Sequence, residues 1–254
     1  MRPSKAERQS KILSELEHMP SLRVADLAQR LSVSTETIRR DLDEMTERGE
    51  LNRTYGGAIR PAAEEPVVSV RHSLFVEERQ RIARAVIPLI HDAKVLMIGS
   101  GATTVHLARR IAVDMKNITV ITHSFGAATV LSINPTIRVV LAPGDYHATE
   151  GATVGAHTVE FFGRFQADVA LIGASGLGPT GPSDALIDVA TVYSAMCRSA
   201  ARRIVVADHS KHGQIFAAVY ATWPMIDTLV SDLAPERDLA EVLRRSGVGI
   251  QLAP

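Results

Sequence analysis

The stretch VSTETIRRDL, residues 33–42, is the part of the sequence from which the fold of the N-terminal region can be predicted. Ser34 stands where the N-cap of a helix belongs, and Ile38 and Leu42 recur at the spacing of one buried helix face. The polar side chains that this places outward are those of Glu36, Arg39, Arg40 and Asp43. A helix in the major groove of DNA contacts base edges through its N-terminal residues, so the stretch predicts a recognition helix.

The flanking residues complete a helix-turn-helix pattern. Only residues 32–34 separate the predicted recognition helix from an apolar stripe formed by Val24, Leu27, Ala28 and Leu31. Residues 51–60 then read LNRTYGGAIR, two short extended runs around a Gly-Gly pair, which is typical of a tight hairpin and here predicts a wing. The residues expected to contact DNA from these elements are Ser34, Thr35, Arg39, Arg40, Arg53 and Tyr55.

Charge and composition restrict the class of protein. The 254-residue chain has 28 basic and 28 acidic side chains, and residues 1–60 have 11 basic and 10 acidic ones. This weak local charge leaves open a small helical dimerisation domain with solvated arginines. A single cysteine, Cys197, excludes an intrachain disulfide and a cysteine metal cage. The polar start, without an apolar run behind it, predicts a cytoplasmic protein without a signal peptide or membrane span.

The rest of the chain predicts a mostly parallel α/β domain. Apolar strand candidates alternate with helical patterns such as Val76–His91, Val105–Ile111, Thr191–Ala201 and Pro235–Arg245. The strand candidates are Val95–Ile98, Ile118–Thr122, Ile137–Ala142, Val169–Gly173, Ile204–Ala207 and Thr228–Val230. The predicted organisation is a winged helix-turn-helix domain at 1–60, a linker at 61–75 and an α/β effector-sensing and oligomerisation domain at 76–254.

Two loops predict an anion site at the carboxyl ends of the strands. The motif GSGATT, residues 99–104, follows a strand and opens a helix, where amides and hydroxyls can bind phosphate. The motif DHSKHG, residues 208–213, follows another strand, and Lys211 would supply a positive charge. The residues expected to bind the effector are Ser100, Gly101, Thr103, Thr104, Asp208 and Lys211. A purely structural turn and a surface ion pair are the alternatives, and the spacing of Asp208, His209 and His212 predicts no metal site.

The two N-terminal motifs resemble the winged helix-turn-helix of the DeoR family of bacterial transcription regulators. The resemblance implies that Ser34, Thr37, Arg39 and Arg40 lie at the DNA surface, with Arg53 near the wing. It extends to the C-terminal part through the loops at 99–104 and 208–213 and the segments around Val120–Ser124, Gly151–Gly155 and Ala167–Gly176. The family's sensor domain resembles ribose-phosphate isomerase and glucosamine-phosphate deaminase folds and senses phosphorylated sugars or their relatives.

Three positions depart from the family pattern. The family usually has an acid where Gly99 stands, a Gly-Gly where Pro143-Gly144 stands, and often a lysine near Tyr193. All three would lie around the effector pocket, so the fold is better defined than the effector. Asp145, Asp184 and Asp188 remain candidate acceptors for sugar hydroxyls without a predicted place.

These patterns together predict a repressor of a carbohydrate-catabolism operon that a phosphorylated sugar releases from DNA. Its expected partners are double-stranded operator DNA, the effector and further copies of the chain in a dimer or tetramer, because such proteins read paired half-sites. No cofactor, metal or catalytic residue is expected. The alternatives are a sugar-phosphate isomerase or deaminase with a DNA-binding appendage, and a DNA binder with a non-functional ligand pocket.

Overall fold

The computed structural model describes residues 4–18, 21–47, 51–54, 57–59 and 65–254. The chain divides into two compact units, Met1–Ala63 and Glu64–Pro254. In the described residues, none of the helices is both long and apolar enough to cross a membrane.

In its described residues, the N-terminal unit contains three helices and a small antiparallel sheet. Its elements are α1 (Lys5–His18), β1 (Ser21–Arg23), α2 (Val24–Arg30), α3 (Thr35–Glu47), β2 (Asn52–Thr54) and β3 (Gly57–Ile59). The strands lie in the order β1-β3-β2, and β2 and β3 pair as the predicted hairpin. Ile38, Leu42 and Met45 on α3 are fully buried against Leu27 of α2 and Ile12 of α1. The apolar spacing therefore defines the inner face of α3, as predicted.

The C-terminal unit has seven helices and twelve strands within the described residues. Its helices are α4 (Val68–Arg71), α5 (Val76–Ile90), α6 (Ala102–Asp114), α7 (Phe125–Leu131), α8 (Ala156–Gly163), α9 (Ile187–Arg198) and α10 (Arg237–Arg245). Its strands are β4 (Val95–Ile98), β5 (Ile118–Thr122), β6 (Ile137–Leu141), β7 (Asp145–His147), β8 (Ala152–Val154), β9 (Ala167–Gly173), β10 (Gly176–Leu177), β11 (Pro182–Asp184), β12 (Ala200–Val206), β13 (Ala218–Val219), β14 (Thr228–Ser231) and β15 (Gly249–Leu252). Short 3₁₀ helices form at His209–Lys211 and Trp223–Met225.

The central sheet is parallel and has the strand order β15-β14-β12-β9-β4-β5-β6. From β4 the chain adds β5 and β6 on one side and then returns to β9 on the other. The gap between the carboxyl ends of β4 and β9 is therefore the topological switch point, where open α/β sheets bind ligands. Alternate side chains of β4 point to opposite faces, with Met97 in one apolar cluster and Leu96 and Ile98 in the other. Helices cover both faces, which confirms the predicted architecture.

Some elements differ from the sequence prediction. The helix predicted to reach Ala201 ends at Arg198, because Ala200 already pairs with Ala167 of the neighbouring strand. Strand β15 was not predicted, and neither were the two- and three-residue strands β7, β8, β10, β11 and β13, which are too short to show periodicity. Residues 65–75, within the predicted linker, contain α4, and the Val68 amide donates to the Thr149 carbonyl over 3.0 Å.

Candidate functional site

The exposed face of α3 is the candidate DNA interface. The Thr37 amide donates to Ser34 Oγ over 3.2 Å, and the two hydroxyl oxygens lie 2.9 Å apart. Ser34 is thus the N-cap of this helix, as the sequence indicates, and it satisfies an amide of the first turn. Thr35 is exposed and Thr37 is half-buried beside the cap. The N-terminal turn therefore presents small hydroxyl side chains at the positive end of the helix.

Two arginines follow on the same face. Arg39 Nη1 lies 3.9 Å from Glu36 Oε2, and Arg40 Nε lies 3.6 Å from Glu36 Oε1. All three side chains are more than half exposed, so these pairs contribute little to folding. Both guanidinium groups can therefore exchange the exposed carboxylate for a phosphate or a guanine edge at small cost.

A buried ion pair holds this surface in place. Asp41 is 2% exposed, and its two carboxylate oxygens accept from Arg8 Nε over 2.7 Å and from Arg8 Nη2 over 3.1 Å. This bidentate contact ties α1 to the back of α3, opposite the exposed arginines. Asp41 stands within residues 33–42, but no local pattern in the sequence indicates that it pairs with Arg8. On the wing, Tyr55 and the side chain of Arg53 lie outside the described residues.

The candidate effector site is a narrow cleft at the switch point of the central sheet. Its volume is about 20 Å³, roughly the space of one water molecule. The lining residues come from the segment before α4, from four helices (α4, α5, the first turn of α6, and α9), from the end of β9, from β11, from the loops after β4 and β9, and from the 3₁₀ turn at Lys211. They are Glu65, Arg71, Arg79, Ser100, Gly101, Ala102, Thr103, Thr104, Gly173, Ala174, Asp184, Tyr193 and Lys211.

The loop after β4 is fixed by a hydrogen bond to the buried side chain of His123. The Ser100 amide donates to His123 Nε2 over 3.0 Å, while His123 Nδ1 lies 2.7 Å from the Thr153 carbonyl. His123 is therefore neutral with its proton on Nδ1, and burial lowers its pKa to about 4. Gly101 follows at φ +112°, a conformation that favours glycine, and is the N-cap of α6. The amides of the first turn of α6 thus face the cleft, as the motif predicts.

Two of the three hydroxyls predicted to hold phosphate, those of Ser100 and Thr104, are already bonded within the protein. Thr104 Oγ1 donates to the Gly101 carbonyl over 2.9 Å. Ser100 Oγ donates to Glu150 Oε1 over 3.1 Å and lies 3.1 Å from the hydroxyl of Tyr193. Anion binding in this cleft therefore depends mainly on helix amides and on cations.

Three cations approach the cleft from different elements. Arg71 Nη2 donates to Glu150 Oε2, and Lys211 Nζ donates to Glu65 Oε1 over 2.6 Å. Arg79 donates through Nη1 to the Arg71 carbonyl and through Nε, over 3.1 Å, to Asp208. Lys211 was predicted for this site, whereas neither arginine was.

Asp208 lies beneath the cleft rather than on its surface. Its side chain is fully buried, and it accepts from Arg79 and from the amide and hydroxyl of Ser210. Because its oxygens are bonded within the protein, Asp208 fixes Arg79 and the turn that carries Lys211. The other five residues predicted for the effector site all line the cleft.

Two buried carboxyls have strongly shifted pKa values. Burial raises the pKa of Glu150 to about 7, against the opposing charge of Arg71 and with a smaller rise from Asp184. Burial likewise raises the pKa of Asp184 to about 6, and the charge of Glu65 adds to the rise. Near neutral pH these groups therefore exchange protons as the charge of the cleft changes. Of the candidate hydroxyl acceptors, only Asp184 lines the cleft, since Asp188 is exposed and Asp145 lies elsewhere.

Two departures from the family pattern lie in direct contact. A Cβ built on Gly99 would lie 2.8 Å from Cε1 of Tyr193, closer than side chains tolerate. Tyr193 is 1% exposed, and its hydroxyl donates to the Ser100 carbonyl over 2.8 Å. The ring thus needs glycine at position 99. The third departure, Pro143, was expected near the effector pocket but lines a separate surface cleft of about 310 Å³ beside α8.

The sequence matches two known domain families. Residues 8–64 match the DeoR-like helix-turn-helix domain, and residues 74–233 match the DeoR C terminal sensor domain. These ranges correspond to the two units of the structure.

Curated relatives match along most of their length. The glycerol-3-phosphate regulon repressor of Escherichia coli (strain K12) is 29% identical over 230 residues, covering 89% of this chain and 90% of that protein. The HTH-type transcriptional repressor GlcR of Bacillus subtilis (strain 168) is 32% identical over 245 residues, covering 95% of this chain and 94% of that protein. A solved D-ribose-5-phosphate isomerase in complex with phospho-erythronic acid matches with a TM-score of 0.39 and 18% identity, covering 54% of this chain and 53% of that one.

Proposed function

The chain belongs to the DeoR family, and we propose that it represses a carbohydrate-catabolism operon from which a phosphorylated sugar or related metabolite releases it. The N-terminal unit binds operator DNA through the exposed face of α3. The C-terminal unit binds the effector at the switch point of its sheet. The observation that carries the effector assignment is the convergence of Lys211, Arg71 and the N-terminus of α6 on one cleft.

The chemistry of the cleft favours a phosphorylated ligand. Helix amides and two cations suit a phosphate group, and the carboxyl of Asp184 suits the hydroxyls of the attached carbon chain. The E. coli relative is named for the glycerol-3-phosphate regulon, which supports a phosphorylated carbohydrate or polyol as the class of effector. The coupling between effector and DNA is expected at about 1–3 kcal/mol, or about 5–150-fold in operator affinity.

The DNA-binding assignment follows from the face of α3. The outward residues Ser34, Thr35, Thr37, Arg39 and Arg40 would contact phosphates and base edges, with Arg53 and Tyr55 of the wing on the adjacent backbone. Recognition of paired half-sites requires at least a dimer, which we assign to the C-terminal unit.

We assign binding rather than catalysis to the cleft. An isomerase needs a general base beside the reacting carbon, and the raised pKa of Glu150 would suit that role. However, Glu150 is bonded to Ser100 and Arg71, which engages both of its carboxylate oxygens. We expect no turnover of phosphorylated sugars by the purified protein, and measurable isomerisation or deamination would contradict this assignment.

The test separates the two sites within one protein. Lys211→Ala should bind the upstream operator as tightly as the unchanged protein, yet a phosphorylated sugar that releases the unchanged protein should no longer release the variant. Lys116→Ala, an exposed lysine on the same unit, serves as the matched control. Fluorescence anisotropy of labelled operator DNA measures both properties. Release of the Lys211→Ala variant at the same effector concentration would contradict the proposed site.

A further inference from the structure

A carboxylate from the start of the C-terminal unit occupies the candidate anion site. Glu65 Oε1 accepts from Lys211 Nζ over 2.6 Å and lies 3.5 Å from Arg71 Nη1. The Glu65 side chain is 5% exposed, and the two cations are 15% and 13% exposed. One internal carboxylate therefore uses the same cations that a bound phosphate would need.

The cleft cannot admit a phosphate group while Glu65 is in place. Its volume of about 20 Å³ is far below the roughly 300 Å³ at the lower end of small-molecule pockets. Tyr193 and Arg79 are held by bonds to the Ser100 carbonyl and to Asp208, so they are poor candidates to move.

The contacts of Glu65 are incomplete, which makes it the group most easily displaced. Residues 65–67 lie outside any helix or strand. Glu65 Oε2 and Arg71 Nε are both buried without a hydrogen-bond partner in the described part of the chain. Unsatisfied buried polar atoms are costly, and a phosphate offers more acceptor oxygens to the same cations than one carboxylate does.

The charges in the cleft also favour replacement of the Glu65 carboxylate by phosphate over binding of phosphate beside it. The cleft and its floor contain three cations and four carboxyl groups, which are Arg71, Arg79, Lys211, Glu65, Glu150, Asp184 and Asp208. A phosphate of nearly two negative charges would be repelled beside Glu65, whereas replacing Glu65 limits the change in charge. The charge of Glu65 also contributes to the raised pKa of Glu150 and Asp184, so its effect extends across the cleft.

We propose that Glu65 is an internal competitor for the effector's phosphate and that binding displaces it from Lys211 and Arg71. This inference rests on the proposed function of the cleft. Glu65 stands two residues after the boundary between the units, Met1–Ala63 and Glu64–Pro254. Displacement from both cations frees the chain beside the boundary with the DNA-binding unit, which links effector occupancy to that boundary, whereas loss of Lys211 alone leaves the contact between Glu65 and Arg71.

The test uses inorganic phosphate and the full-length protein. Glu65→Gln keeps the shape of the side chain and removes its charge, so phosphate should bind about tenfold more tightly, the typical effect of one charge-assisted hydrogen bond. Glu65→Asp keeps the charge but shortens the reach, so it should give an intermediate affinity. Glu77→Gln removes an exposed carboxylate from α5 and should bind phosphate like the unchanged protein. Isothermal titration calorimetry measures these affinities, and melting curves without phosphate verify that each variant is folded.

Hydrogen-exchange mass spectrometry gives the second readout. Phosphate should protect the loop 99–104 and increase exchange across residues 65–71 in the unchanged protein, where the Val68 amide donates to the Thr149 carbonyl. In Glu65→Gln, residues 65–71 should exchange more rapidly than in the unchanged protein before phosphate is added. Protection of the loop with equal affinities and unchanged exchange at 65–71 would overturn the role of Glu65 and leave the phosphate site standing. No protection of the loop in either protein would overturn both proposals.

Discussion

Replacing Glu150 with glutamine should change how the stability of the C-terminal unit depends on pH. The pKa of Glu150 is raised from 4.5 to about 7, chiefly by burial, so the folded state retains a proton that the unfolded state loses above pH 4.5. The charges facing it are those of Arg71, Asp184 and Glu65, and Ser100 donates a hydrogen bond to it. The contribution of Glu150 to the free energy of unfolding therefore falls as pH rises from 4.5 to 7.

The magnitude follows from the shift. A difference of about 2.5 pKa units corresponds to roughly 3 kcal/mol of destabilisation above pH 7, of which about 2–3 kcal/mol develops between pH 5 and 8. His106 and His123, whose burial lowers each pKa to about 4, act in the opposite direction, since their contribution is lost as pH falls from 6.5 to 4. The unchanged protein and the Glu150→Gln variant both contain these histidines. The difference between their free energies of unfolding therefore reports the contribution of Glu150.

Urea unfolding of the unchanged protein and of Glu150→Gln at pH 5, 6, 7 and 8 measures this difference. The ionic contact with Arg71 exists only while Glu150 is ionised, and its effect is already part of the net shift in the pKa of Glu150. The stability of the variant relative to the unchanged protein should therefore rise by about 2–3 kcal/mol from pH 5 to pH 8. The control Glu77→Gln should differ from the unchanged protein by less than about 0.5 kcal/mol at every pH. A stability difference between Glu150→Gln and the unchanged protein that does not vary with pH would refute the raised pKa assigned to the buried Glu150 carboxyl.

Three further substitutions test other parts of the structure. Arg40→Ala should weaken operator binding by about tenfold or more and leave phosphate binding unchanged. An operator affinity equal to that of the unchanged protein, measured by anisotropy, would show that Arg40 does not contact DNA. Gly99→Ala should lower the free energy of unfolding by about 1–3 kcal/mol because its Cβ would collide with Tyr193, and an unaltered urea midpoint would contradict that contact. Asp41→Ala should destabilise the N-terminal unit by about 2–4 kcal/mol because the buried bidentate contact between α1 and α3 is lost, whereas a loss under about 0.5 kcal/mol would show that this contact contributes little.

The architecture could be predicted because it depends on periodic apolar patterns. The strand at Val95–Ile98 and the buried face of α3 are both visible as spacing in the sequence. The short strands that surround the cleft could not be found this way. Strand β11, only Pro182–Asp184, brings Asp184 to the cleft through pairing with β10 and β13, which no local pattern indicates.

The site was predictable only where a motif marks a strand-to-helix loop. Ser100 and Lys211 follow parallel strands, so their convergence could be expected from the rule for carboxyl ends. Arg71 and Glu65 precede the sheet in a segment without periodicity, and tertiary packing alone brings them to Lys211. The role of Asp208 beneath the cleft likewise depends on Arg79, which is 129 residues away along the chain.

The proposed function requires that one chain binds operator DNA and is released by a phosphorylated metabolite. Its most direct test is fluorescence anisotropy of the purified protein on its own upstream DNA and on a scrambled duplex, at physiological salt, with a panel of phosphorylated sugars and polyols. We predict tight binding to the upstream DNA, no tight binding to the scrambled duplex, and release from the upstream DNA by one compound of the panel. Equal binding to both duplexes, or specific binding that no phosphorylated compound changes, would contradict it.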